Sequence, residues 1–351
     1  MTRADRLEAE LAERELDALL VTNLTNVRYL TGYTGTNGAC VVGEGLRVFL
    51  TDFRYLTQAE RQVEGFDREQ GKQDLLEDAA KRLSGRVGFE DHTMTVRAHE
   101  RLSGFVGDGV ELVPAGRMVE KLRQVKEPGE LERIRAAAAL ADDVLEGLVE
   151  RGLAGRTERQ VAFELETEMR RRGAEPSFPS IVAGGANGAQ PHAEPGDDPI
   201  ERGTLVVVDM GCVLDGYCSD CTRTLATGPV PDAAREVYDL VLRTQLGTLE
   251  RVRAGADCRA VDGFARGAIA EAGHGERFGH GLGHGVGLEI HEGPTLSRLA
   301  EGTLAAGNVV TVEPGVYLPG EFGVRIEDLV VVGDDGPEIL SRVPKELTLV
   351  E

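Results

Sequence analysis

A glycine stands at every odd position from Gly279 to Gly287, within the segment GHGLGHGVGLEIHE that spans residues 279 to 292. Each glycine disfavours a helix by about 1 kcal/mol relative to alanine, so this stretch must be extended or turning. Such a segment suits close approach of its backbone to a neighbouring strand or a ligand. Three of the chain's seven histidines, His280, His284 and His291, lie in it. The i,i+4 spacing of His280 and His284 would suit a helical zinc site, but no HExxH motif accompanies it. In extended backbone the even spacing puts both on one face. His291 has the opposite parity unless a bulge or bend resets it.

The 351 residues suffice for two domains of ordinary size, and 41% hydrophobic with 28% charged residues is the composition of a globular protein. A net charge of -21 argues against a nucleic-acid partner and against an anionic membrane surface. The N-terminal MTRADRLEAELAERELDALL lacks an uninterrupted apolar core and cleavage site. No apolar run approaches the roughly 18 residues of a membrane span, and a cytoplasmic location is the expectation. Five cysteines are an odd number spread over a long chain, which does not describe a disulfide framework. Cys218 and Cys221 form a CxxC, but on a strand residues three apart face opposite ways and no second CxxC exists, so buried thiols are expected.

The first third alternates helical and strand patterns. Helices are expected over 3–16, near 54–64 and near 73–84, and strands over 18–22, 39–43, 46–51 and 86–90. This reads as an α/β domain over residues 1–122. Pro128 and Gly129 precede an Ala/Leu-rich helix, with proline suited to its first turn. Thr157 and Gln160 form a capping box, and Val161, Leu165 and Met169 repeat every four residues up to Gly173. Further helices are expected near 232–252 and 258–272, with glycine-punctuated strands between and after them. This segregation of helices and strands reads as an α+β domain over residues 123–351.

Two acidic pairs lie on apolar strands of that domain. In TLVVVDMGCVLDGYCSDCTRTLAT, residues 204–227, Asp215-Gly216 is a two-residue hairpin signal. Asp209 then faces Thr222, and Asp220 lies diagonally across on the same face. Two such carboxylates repel unless a cation lies between them; the alternative is one solvent-facing aspartate and one turn cap. In NVVTVEPGVYLPGEFGVRIEDLVVV, residues 308–332, Glu313 ends one strand and Glu327 lies within the next. A buried glutamate needs a partner. Arg325, two residues before Glu327 on one strand face, could make this a structural Arg–Glu pair. His192 sits in the Gly/Pro-rich loop GGANGAQPHAEPGDD, either as a surface residue or as part of a site.

Together, VDMGCVLDGYCSDCTRT, GHGLGHGVGLEIHE, TVEPGVY and GVRIED, in this order, closely resemble the pita-bread metallopeptidases, which include methionine aminopeptidase, aminopeptidase P and prolidase. The resemblance covers nearly the whole chain. It implies a pita-bread catalytic domain behind a smaller creatinase/prolidase-type N-terminal domain. It also implies two divalent ions held by Asp209, Asp220, His284, Glu313 and Glu327. Asp209 would serve one ion, His284 with Glu313 the other, and Asp220 and Glu327 would bridge. Four carboxylates and one imidazole suit Mn²⁺ first, with Co²⁺, Fe²⁺ or Zn²⁺ as alternatives. Glu313 would shuttle a proton, His291 would contact the oxyanion and His192 the substrate, while His280 and Arg325 would face the substrate.

His280 matches the prolyl-specific members, as do NVRYLTGYTGTNG and TDFRYLTQA in the N-terminal domain. The implied substrate is a proline-containing peptide, cleaved at the Xaa-Pro bond. Proline's tertiary amide has no N–H for ordinary peptidases to grip. In HEGPTLSR, Thr295 stands where some prolidases resembling this chain carry an arginine that holds a dipeptide's carboxylate, and Arg298 lies three residues on. This favours an Xaa-Pro aminopeptidase, with the Xaa-Pro dipeptidase as the alternative. Methionine aminopeptidase, a metal-free peptide-binding domain and a creatinase-like hydrolase are the remaining rivals. The resemblance suggests a homo-oligomer, a dimer first.

Overall fold

The computed structural model describes residues 1–350. Its two compact units are Met1–Arg123 and Gln124–Glu351.

The first unit is built on a six-stranded sheet of order β4-β3-β2-β1-β5-β6. The strands are β1 (Ala18–Val21), β2 (Ala39–Gly43), β3 (Leu46–Thr51), β4 (Asp67–Gln70), β5 (Gly85–Phe89) and β6 (Val110–Pro114). All run parallel except β2, which is antiparallel to both neighbours. Leu20, Val41, Leu50 and Val87 are buried in one core cluster. The central strands match the expected ones. The edge strands β4 and β6 do not stand out, since DREQ carries no apolar alternation and both are largely uncovered. The helix Leu24–Thr31 is also unforeseen; Asn23 caps it by accepting from the Thr25 amide.

In the second unit two helix pairs lie over strands. The helix Pro128–Arg151 carries Pro128 in its first turn, and Glu158–Arg171 has the Thr157–Gln160 capping box. Val144, Leu148, Val161, Leu165 and Met169 pack with Val206, Val208 and Met210 in one core. The second pair, Asp232–Leu249 and Cys258–Glu271, contributes Val237, Val241, Val261 and Ile269 to another core, shared with Val310, Val312, Val324 and Val330.

The strands beneath are β7 (Glu175–Pro176), β8 (Ile181–Gly184), β9 (Leu205–Met210), β10 (Cys212–Leu214), β11 (Tyr217–Cys218), β12 (Cys221–Ala226), β13 (Gly283–Gly285), β14 (Glu292–Leu296), β15 (Val309–Val312), β16 (Gly315–Leu318), β17 (Phe322–Arg325), β18 (Asp328–Val332) and β19 (Pro337–Ile339). They form sheets of order β12-β9-β8, β11-β10-β7, β14-β13-β15-β18-β19 and β16-β17. Among the described residues no helix is long and apolar enough to cross a membrane.

Candidate metal centre

Strand period 2 builds the acidic side of the site. Val206, Val208 and Met210 on β9 enter the core under the helices, so Asp209 between them must point the other way. β9 pairs with β12 in the expected register, with Thr222 opposite Asp209. The turn between them uses Asp215 at φ 48 and Gly216 at φ 80, the two left-handed residues of a type I′ hairpin. Asp220 is buried just ahead of β12. Cys218 and Cys221 are free buried thiols, as expected.

The second acidic pair arrives differently from expectation. The stretch VRIEDLVVV is two strands, because β17 ends at Arg325 in one sheet and β18 begins at Asp328 in another. Glu327 lies in the crossover, its amide donating to the Thr222 carbonyl at 3.1 Å. The direct Arg325–Glu327 pair suggested by the sequence does not form. Arg325 instead donates from Nη2 to Asp209 Oδ2 at 2.6 Å. It reaches Glu327 through a hydroxyl: Arg325 Nε donates to Thr222 Oγ1 at 3.1 Å, and Thr222 Oγ1 donates to Glu327 Oε2 at 2.6 Å. Glu313 follows β15, with its Oε1 accepting from Thr311 Oγ1 at 3.2 Å.

The glycine run meets its neighbours backbone to backbone. A Cβ on Gly283 would lie 2.0 Å from the Thr311 carbonyl oxygen, and one on Gly285 would lie 2.2 Å from that of Gly293. This closeness brings His284 to the acids: its Nε2 is 3.5 Å from Asp220 Oδ2 and 3.5 Å from Glu313 Oε1. The chain then turns between β13 and β14, which removes the parity problem of His291. Its ring lies edge-on to that of His284, with centroids 4.3 Å apart. His280 Nε2 is 2.9 Å from the Tyr317 hydroxyl.

All nine residues singled out by sequence, namely His192, Asp209, Asp220, His280, His284, His291, Glu313, Arg325 and Glu327, line one cleft of about 580 Å³. Phe178, Pro179, Ile181, Pro191 and Ile290 give it apolar walls. His192 and His291 are the exposed members. The sequence reading passed over Tyr317 and the relaying role of Thr222. Tyr317 accepts from Arg325 Nη1 at 2.8 Å. A buried tyrosine in TVEPGVY, on a strand next to an acid, was the available signal.

Burial and crowding of like charges dominate the electrostatics of this cluster. Burial, then the charges of Glu327, Asp209 and Glu313, hold the Asp220 carboxyl well above the usual range. Burial, then Glu313 and Asp209, does the same to Glu327. Burial pushes Glu313 up to about 8. His284 is driven down to about 4 by burial and then by the neighbouring charge of His291. Burial disfavours the charged form of each of these groups, and like-charged neighbours add to it at Asp220, Glu327 and His284. Asp220, His284 and Glu327 offer ligand atoms all within 4.8 Å of one another, and buried Asp209 Oδ1 has no hydrogen-bond partner. Oxygen-rich donors around one imidazole fit divalent ions.

Comparison with known proteins agrees with this geometry. Residues 132–334 match metallopeptidase family M24, and residues 3–125 match the creatinase/prolidase N-terminal domain. The uncharacterized peptidase YqhT of Bacillus subtilis is 39% identical over 99% of this chain and 100% of its own. The structure of an Xaa-Pro dipeptidase from Bacillus anthracis superposes with a TM-score of 0.96 at 38% identity, covering 99% of each chain. An X-Pro aminopeptidase from Thermotoga maritima gives 0.90 at 34% identity, over 99% of this chain and 100% of the other. The chain belongs to metallopeptidase family M24, within its pita-bread Xaa-Pro peptidase group.

Proposed function

We propose that this protein is an Xaa-Pro aminopeptidase, releasing the residue ahead of proline from the N-terminus of peptides. The observation that carries the reading is the convergence of Asp220, His284 and Glu327 within 4.8 Å, in a cleft with apolar walls. In this reading Asp209, Asp220, His284, Glu313 and Glu327 hold two divalent ions, Mn²⁺ first. When bound, such ions supply Lewis acidity toward the scissile carbonyl and make water a stronger acid.

The chain's own groups do the rest. Glu313 accepts a proton at its carboxylate and delivers it to the departing proline nitrogen. His291, at the exposed rim beside His284, donates to the oxygen that gains negative charge. His192 contacts the substrate from the facing loop. Arg325 fixes Asp209, and His280, bonded to Tyr317, bounds the substrate's seat. Phe178, Ile181 and Ile290 exclude water and accept the proline ring.

The preference for longer peptides rests on charge. Among the described residues Arg325 is the one lysine or arginine that lines the cleft, and it is engaged by Asp209 and Tyr317. Among the described residues a dipeptide's carboxylate therefore meets no uncommitted lysine or arginine in the cleft. The second reading, an Xaa-Pro dipeptidase, is favoured by the name of the Bacillus anthracis relative. Hydrolysis of Ala-Pro against Ala-Pro-Ala with Mn²⁺ decides between them. The aminopeptidase reading expects faster tripeptide cleavage, and faster dipeptide cleavage would overturn it. Cleavage of Met-Ala peptides alone would overturn both. In this reading the catalytic domain begins near residue 123, and the protein works in the cytoplasm as a homodimer.

A further inference from the structure

Lys126 and Glu292 form an ion pair that the reaction described above does not use. Lys126 Nζ donates to Glu292 Oε1 at 2.7 Å, and their side chains are 1% and 4% exposed. Two charges so deeply buried contribute little net stability compared with two apolar side chains of similar size. Their effect is to fix position.

The geometry points to what they fix. Lys126 comes from a stretch tied beside β15: its amide donates to the Gly307 carbonyl at 2.9 Å, and Val125 bridges to Asn308. Glu292 directly follows His291 and pairs with Gly285 across the β13–β14 hairpin. Its carboxylate also fills the space above Gly287, where a Cβ would lie 2.3 Å from Oε1. The Gly287 carbonyl accepts from the Cys218 amide at 2.8 Å. Lys126 thus pins, through one carboxylate, both ends of the hairpin tip that runs from Gly287 to Glu292. That tip presents Ile290 and His291 to the cleft.

We propose that Lys126 is a positioning residue: through Glu292 it holds the hairpin tip so that His291 stays against His284 and faces the substrate. The proposal rests on the substrate contact assigned to His291 above. Charge, length and burial all matter, because the ammonium must reach the carboxylate beneath Gly287 with no water to substitute for it.

The test compares the apolar double variant K126M/E292M, the charge-keeping K126R and the shortened E292D. In the double variant the protein stays folded, since no unpaired charge remains. With Ala-Pro-Ala and Mn²⁺, kcat falls about tenfold or more while KM changes less than about threefold. Adding H291A to the double variant costs less than about twofold further, against its full effect in the parent. K126R retains activity within about threefold of the parent. Should the double variant not fold, E292D carries the same expected kcat loss and the same loss of coupling to H291A.

Histidine ring resonances of the metal-free protein provide an activity-independent readout. The ring-current shifts that His284 and His291 impose on each other should diminish in K126M/E292M and E292D and persist in K126R. Parent-like kcat in a folded double variant, a full H291A effect in it, or unchanged histidine resonances would each overturn the proposal. A parent that cleaves no Xaa-Pro peptide would instead defeat the functional reading, and the resonances alone would then decide.

Discussion

Arg325 and Asp209 face each other at 2.6 Å, and the same guanidinium reaches Glu327 through the Thr222 hydroxyl. One cation therefore serves two acids from separate parts of the chain, Asp209 on β9 and Glu327 in the crossover between β17 and β18. Its own side chain is 4% exposed, so water contributes little to that compensation. Replacing Arg325 with leucine should destabilise the metal-free protein by about 3–5 kcal/mol, the usual effect of breaking a buried ion pair. Mn²⁺ should recover much of that loss by supplying positive charge to the same carboxylates. Urea unfolding with and without Mn²⁺ measures it, and an equal loss in both conditions would remove Arg325 from the electrostatics of the site.

Stability against pH follows from opposing shifts. His284 and His280 are both lowered by burial to about 4, so their contribution rises with pH and is complete above the ordinary histidine value of about 6.5. Glu313 is raised to about 8, and Asp220 and Glu327 are raised too. A raised carboxyl binds its proton more tightly in the folded state, so its contribution is lost as pH climbs toward the folded value. Between about pH 6.5 and 8 only the carboxylates remain in play. The melting temperature in EDTA should therefore fall across that window. Mn²⁺ should raise it more at the upper end, where ions meet fewer protons. A flat or rising melting temperature in EDTA would contradict this.

Glu313 is the group whose loss should separate chemistry from folding. Glu313→Gln keeps the shape and an acceptor for Thr311 while removing the basic carboxylate. Turnover of Ala-Pro-Ala should drop by about 10²–10⁴-fold, the range for a lost general base. Metal-free stability at pH 8 should rise, because one repelling carboxylate has gone. Calorimetry and steady-state kinetics on the same preparation check both halves. Parent-like turnover would take Glu313 out of proton transfer.

Sequence alone made the acidic hairpin legible, because Asp215-Gly216 sets the register that places Thr222 opposite Asp209. The glycine run was legible for the same reason: alternate glycines leave backbone contact as the workable fold for that segment. What stayed hidden depends on contacts between distant parts of the chain. The break at Ile326 divides an apolar run whose composition is continuous, so Arg325 looked like a neighbour of Glu327 when it belongs to Asp209. Edge strand β4, with the sequence DREQ, has no periodicity to detect. Lys126 lies just past the expected domain boundary, and nothing near it in the chain announces Glu292.

Thr295 tests how the cleft reads the end of its substrate. It lines the cleft, where Arg325 is already committed to Asp209 and Tyr317. Installing an arginine there would offer an uncommitted guanidinium to the substrate's carboxylate. A hydrogen bond to a charged group contributes about 1.5–3 kcal/mol, which corresponds to a gain of roughly tenfold or more in selectivity. Thr295→Arg should thus raise kcat/KM for Ala-Pro relative to Ala-Pro-Ala by about that factor. C-terminally amidated Ala-Pro should gain nothing, since it has no carboxylate to hold. An unchanged ratio, or an equal gain for the amide, would mean that the substrate's terminus does not approach Thr295.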